Sequence, residues 1–155
     1  MVTDRTAFPT TQKNILISGS NVQSFTVGAT AVKAGQVVSI AAAGASWTVI
    51  PCVAEAGSQP VGVALADVAA GGKVDVACIG CIAYVSNYST DVDIDAGHLV
   101  TMNDAMTPLG GTVIEVPDAT TTIEQIGVMI EDSTAASLGL EAMLVTCGAT
   151  YSHHH

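Results

Sequence analysis

The chain has 155 residues, enough for one domain with its own core. Its formal net charge is −10 with only four Lys and Arg (Arg5, Lys13, Lys33, Lys73), so nucleic acid and anionic membrane surfaces are excluded as partners for want of clustered cations. Charged residues make up 12% and aromatics 4%, with Trp47 the sole Trp; a core built mostly from Ala and Val buries little area per residue and favours a protein that packs against neighbouring subunits.

Residues 1–24 read as an extended N-terminal arm, polar and broken by Pro9 and by Ser18-Gly19-Ser20-Asn21. Its opening, Met1 to Arg5, lacks a basic segment followed by an apolar run and predicts no signal peptide. Asn14-Ile15-Leu16-Ile17 is its apolar patch, a short strand or an anchor. Residues 25–150 read as a single all-β domain. Short β-branched runs bounded by Gly, Pro or Ser fall at Val37–Ile40, Trp47–Ile50, Val61–Leu65, Val74–Ile79, Ile82–Val85, Leu99–Met102, Thr112–Val116, Gln125–Ile130 and Ala142–Thr146. Their number and close spacing predict a small barrel or sandwich. The uncharged run from Ala34 to Ala54 contains Gly, Ser, Gln and Pro, too broken for a membrane span, and predicts two strands about a turn. Asp67 to Ala70 and Asp132 to Leu138 are candidates for single helical turns, the second capped by Asp132 or Ser133. Residues 151–155 form a tail, in which His153-His154-His155 is a tag remnant or a natural end.

A short unit occurs twice. Ala34-Gly35-Gln36-Val37-Val38 matches Ala96-Gly97-His98-Leu99-Val100, Gln59–Val63 through Asp67 matches Glu124–Val128 through Asp132, and Val76–Gly80 matches Leu144–Gly148. The separations, 62 (97 − 35), 65 (127 − 62) and 68 (148 − 80), drift as loop insertions between fixed strands make them drift. Three Ala-Gly pairs, at Gly35, Gly71 and Gly97, precede strands and predict turns that need positive φ. Gly62 and Gly127 lie inside strands, where glycine marks a bulge or the close approach of another backbone.

Residues capable of chemistry are few. Cys78-Ile79-Gly80-Cys81 sits in a strand context rather than at a helix start, and lacks the two further ligands a zinc site needs. Cys52 and Cys147 have no partner at ligand spacing. Cys78 and Cys147 fall at nearly equivalent repeat positions and read as buried strand residues, with a structural disulfide or a metal role as alternatives. Asp91-Val92-Asp93-Ile94-Asp95 has Ala96 and Met102 where a calcium loop needs Gly and Glu; it reads as an acidic exposed edge with Val92 and Ile94 inward, or a loose surface calcium site. His98 reads as a turn residue. No cofactor, metal site or catalytic set is assigned.

The order of turns and strands resembles the capsid cement or decoration proteins of tailed phages. The resemblance rests on Ala34-Gly35-Gln36-Val37-Val38, Val61-Gly62-Val63-Ala64, Asp67, Ala69-Ala70-Gly71, Val74 to Gly80 and Asp95-Ala96-Gly97-His98-Leu99-Val100, within roughly residues 25–148. It implies a structural virion protein on the outer surface of an icosahedral head. It further implies binding to the major capsid protein, often as a homotrimer at local three-fold sites, with no catalytic residue. Phe8, Pro9, Ile15, Leu16 and Ile17 in the arm are the expected contacts with the shell or a neighbour, since arms that order on assembly gain binding surface. Two rivals remain. One is a carbohydrate- or receptor-binding module of a virion fibre, using Trp47, Tyr84, Tyr88 and Tyr151 as platforms. The other is an enzyme with Cys81 or Cys78 as nucleophile and His98 as base.

Overall fold

Short β-branched runs between Gly, Pro and Ser commit the chain to sheet, and the computed structural model carries eleven strands and no helix among the described residues. It describes residues 14–41, 46–52, 60–86, 93–102, 113–115, 122–132 and 140–152. The strands are β1 (Leu16–Ser18), β2 (Val22–Val27), β3 (Val37–Ile40), β4 (Thr48–Pro51), β5 (Pro60–Ala64), β6 (Lys73–Ala77), β7 (Ile82–Val85), β8 (Leu99–Met102), β9 (Val113–Glu115), β10 (Thr122–Met129) and β11 (Glu141–Ser152). Pro60 opens its strand, where the missing N–H costs least.

Strands β2-β4-β3-β5-β6 close into a barrel, and β1-β7-β11-β10-β8-β9 form a six-stranded sheet. The two orders are the same unit used twice: β2, β6, β5, β3 and β4 follow one another as β7, β11, β10, β8 and β9 do. Hydrogen bonds repeat with them. Gly35 N–H donates to Ala64 O at 2.8 Å and Gly97 N–H to Met129 O at 2.7 Å; Leu65 N–H donates to Asp75 O and Ile130 N–H to Ala142 O; Cys78 N–H donates to Asn21 O and Val145 N–H to Cys81 O. A Cβ on Gly62 would collide with the Ala77 carbonyl, and one on Gly127 with the Leu144 carbonyl. These pairs align Leu144 with Ala77, one residue away from the sequence match with Val76. The extra residue has no sequence signature because Ala, Val and Leu are interchangeable in that run. Cys78 therefore corresponds to Val145, not to Cys147.

Successive strand residues face opposite ways, so where the barrel wall meets the sheet both of its faces are buried, while the outer faces of β2 and β6 stay exposed at Ser24, Lys73 and Asp75. Val38, Val49, Val74, Val76, Phe25 and Val27 fill the barrel. Val37, Val63 and Ala77 point outward and join Ala83, Val85, Val100, Ile126, Met143 and Val145 in a second core between barrel and sheet. This accounts for unbroken pairs such as Val37-Val38 and Val76-Ala77 in the sequence.

Three expectations change. Tyr151 and Ser152, read as tail, end β11 and pair with Ile123 and Thr122, because β10 starts three residues earlier than its apolar run and carries the ladder on. The arm does not run to residue 24: β1 and the first half of β2 lie within that span, and β1 pairs with β7 through Leu16↔Ala83 and Ser18↔Ile82. Its polar, Gly-containing sequence hides the pairing, because the β1–β2 turn carries the breakers. Asp67 to Ala70 is not helical; Val68 instead bridges Val32. Residues 133–139 lie outside the described residues, and Asp132 turns its carboxylate to the Ala96 N–H at 2.9 Å.

Candidate functional site

Two features of the described surface are built rather than incidental. The first is the pair of Ala-Gly turns. Gly35 and Gly97 adopt φ of 89° and 88°, and in each unit an aspartate braces the preceding alanine: Asp67 Oδ1 accepts Ala34 N–H at 2.8 Å, as Asp132 accepts Ala96 N–H. The second is a set of exposed apolar side chains: Ile17 (45% exposed) and Ile40 (42%) on β1 and β3, and Trp47 (65%), Ile79 and Ile130 in the turns beside strands.

The expected arm contacts separate. Ile15 is buried in the core between barrel and sheet, and Leu16 packs partly against it. Ile17 faces out on β1, the outermost strand of its sheet. Phe8 and Pro9 lie outside the described residues. Sequence reasoning grouped Ile15, Leu16 and Ile17 because a three-residue strand has too little length to show its alternation.

The thiols are placed by packing. Cys78 and Cys81 flank a tight turn, not a strand: Cys81 N–H donates to Cys78 O at 3.2 Å and Gly80 has φ 93°. Cys78 is half-buried, and burial first, then the neighbouring Cys81, raises its pKa above the usual thiol value. The Cys81 thiol donates to Asn21 O at 3.5 Å, and a Cβ on Gly19 would stand 2.7 Å from its sulfur. Cys147 is buried on β11, and burial, with Cys52 and Cys78 nearby, pushes its pKa far above the thiol range. Such thiols are poor nucleophiles. His98 lies in an exposed turn with its N–H on Asp95 O and its carbonyl accepting Met129 N–H. Among the described residues no group of His, Cys, Asp and Glu is arranged to hold a metal ion. Asp93 and Asp95 are exposed about buried Ile94, the edge pattern expected of them; Asp91 and Val92 lie outside the described residues.

Of the aromatic platforms considered, Trp47 stands out to solvent and Tyr84 packs partly against the core; Tyr88 lies outside the described residues, and Tyr151 lies on β11. Trp47 is also the one non-glycine residue with positive φ among the described residues, at 56°. Sequence gives no sign of either property, since exposure and backbone handedness depend on the barrel around it.

No curated protein is similar to the chain by sequence. In fold it is similar to the head fiber gp8.5 N base of bacteriophage phi29, with a TM-score of 0.52 and 17% identity, covering 81% of this chain and 92% of that one. Residues 17–146, nearly all of both repeated units, match the phage cement protein family. A doubled β scaffold with buried thiols and braced turns is what that match covers, and the chain belongs to the phage cement proteins, structural components of the outer surface of the capsid.

Proposed function

We propose that the chain binds the major capsid protein as a homotrimer and clamps adjacent capsomers, its N-terminal segment supplying part of the grip. The observation that carries this reading is the position of β1. It lies at the end of the six-stranded sheet and is anchored inward by buried Ile15, while Ile17 faces out. A residue held this way adds contact area without further ordering cost. Phe8 and Pro9 precede it in the chain and are assigned to the same contact. Three protomers, each with a modest patch, multiply weak contacts into persistent attachment. The family's structural role agrees with a chain whose described thiols are mostly buried and whose His98 stands in a turn, and no reaction is assigned to it.

The test removes residues 1–13, which leaves β1 in place, and separately replaces Ile17 with Ser. Each change is expected to reduce co-sedimentation with empty heads, and light scattering of the free protein is expected to give three times the chain mass. Undiminished attachment of both variants would remove the arm from the mechanism, and a monomeric mass in solution and on heads would remove the trimer.

A further inference from the structure

We propose that Cys78 and Cys81 form a thiol–disulfide site, which a small disulfide oxidises to a bond across their turn once the virion has left the reducing interior of the cell that made it. This needs only the turn and a place on the outer surface of the capsid, and it is independent of how the chain grips the shell.

The turn lies at the joint of the molecule. The chain passes from sheet to barrel between β1 and β2, and returns between β6 and β7. Asn21 bonds the two crossings together: its carbonyl accepts Cys78 N–H at 2.9 Å and its Nδ2 donates to Ile79 O at 3.1 Å. The Cys81 thiol donates to the same Asn21 carbonyl at 3.5 Å. One oxygen therefore holds the Cys81 sulfur beside the backbone of Cys78.

Turn geometry brings the pair within reach of a bond. Cys81 N–H on Cys78 O at 3.2 Å, with Gly80 at φ 93°, makes a β-turn that has the cysteines at its first and last positions. The Cα atoms at those positions lie within about 7 Å, and a disulfide spans about 4.4–6.8 Å. The Cys81 thiol is near enough to add to the raised pKa of Cys78. Each thiol gives only a weak hydrogen bond to a backbone carbonyl, Cys78 to Val76 O and Cys81 to Asn21 O, so little is lost when the sulfurs turn toward each other. The residues between them leave the turn room to adjust: Ile79 is exposed, and a Cβ on Gly80 would meet nothing within 4 Å.

Cys78 is half-buried and is the thiol an oxidant reaches; Cys81 is buried behind it. The Cys78 thiolate attacks one sulfur of a disulfide RSSR and expels RS⁻. The Cys81 thiolate then attacks the Cys78 sulfur of the mixed disulfide and expels the second RS⁻. Two thiols become one disulfide, RSSR takes up the two electrons, and the two protons end on two RSH. Burial keeps the Cys78 thiolate scarce, so closure is slow, which suits a bond made once after release. Disulfides persist at virion surfaces and are rare in the cytosol. Cys52 and Cys147 are buried in the shared core, out of reach of such a reagent.

The test incubates the reduced full chain with oxidised glutathione, alkylates the remaining thiols in denaturant, and reads intact mass and a peptide map. Two of the four thiols are expected to disappear, with the loss of two hydrogen atoms and a single cross-link between Cys78 and Cys81 that dithiothreitol reverses. Cys81→Ser is expected to stop at one glutathione held on Cys78, and Cys78→Ser to keep all its thiols. Circular dichroism monitors the fold, and Cys78→Ser, at the half-buried position, carries the comparison if Cys81→Ser does not fold. Heads carrying the protein, alkylated at lysis or after storage in air, are expected to show the cross-link only after storage. Four free thiols in the oxidised wild type, or a cross-link mapped to Cys52 or Cys147, would overturn the site. Equal cross-linking at lysis and after storage would overturn its closure on release.

Discussion

At Gly62 and Gly127 the chain passes so close to the neighbouring strand that the space a side chain needs is held by a backbone carbonyl, of Ala77 and Leu144 respectively. Backbone cannot rotate aside as a side chain can, so Gly62→Ala and Gly127→Ala are each expected to cost about 2 kcal/mol or more, the range of overpacked cores, measured by urea unfolding. Trp47 behaves differently. Glycine there relieves about 1 kcal/mol of left-handed strain and forfeits a ring contact of similar size, so Trp47→Gly is expected to leave the thermal midpoint almost unmoved. The buried thiol of Cys147 adds a pH dependence. Its pKa is raised in the fold, so the folded state keeps a proton that the unfolded chain releases above about pH 8.5. Stability is then undiminished below that pH and falls as pH rises beyond it. The urea midpoint is expected to decline between about pH 8.5 and 10, and less steeply in Cys147→Ala.

At the scale of elements, β1 divides one short segment between two tasks: Ile15 secures it to the core and Ile17 is left for a partner. Ile15→Ala is expected to cost about 3 kcal/mol, as large-to-small core changes do, whereas Ile17→Ser should stay within about 0.5 kcal/mol. Thermal unfolding of the two variants separates the roles before any binding is measured. The strands from β3 onward were legible because each is a β-branched run between Gly, Pro or Ser. The Ala-Gly turns were equally plain, and Gly35, Gly71 and Gly97 all take φ near 90°. What could not be read was β2, the pairing of the short strand β1 with β7 about 65 residues on, and the turn between Cys78 and Cys81. That turn ends one unit and begins the next, and its Cys-x-x-Cys pattern describes spacing, not direction.

At the scale of the molecule, the two units are not independent. Val37, Val63 and Ala77 of the barrel share a core with Ala83, Ile126, Met143 and Val145 of the sheet, so neither half can lose its packing alone. A single unfolding transition is expected, with calorimetric and van't Hoff enthalpies equal; two resolved transitions would show that the shared core does not couple the halves. The doubled unit, the all-β class, the absence of clustered cations and the family were determined by the sequence itself, because strand periodicity, glycine turns and charge are properties of neighbouring residues. The tertiary structure alone decided that one unit closes while β1 extends the other, that Ile15 turns in where Ile17 turns out, and that Trp47 is held at positive φ, exposed, against Phe25. Those outcomes depend on which distant strands meet and on which face of the sheet, and no local pattern records that choice.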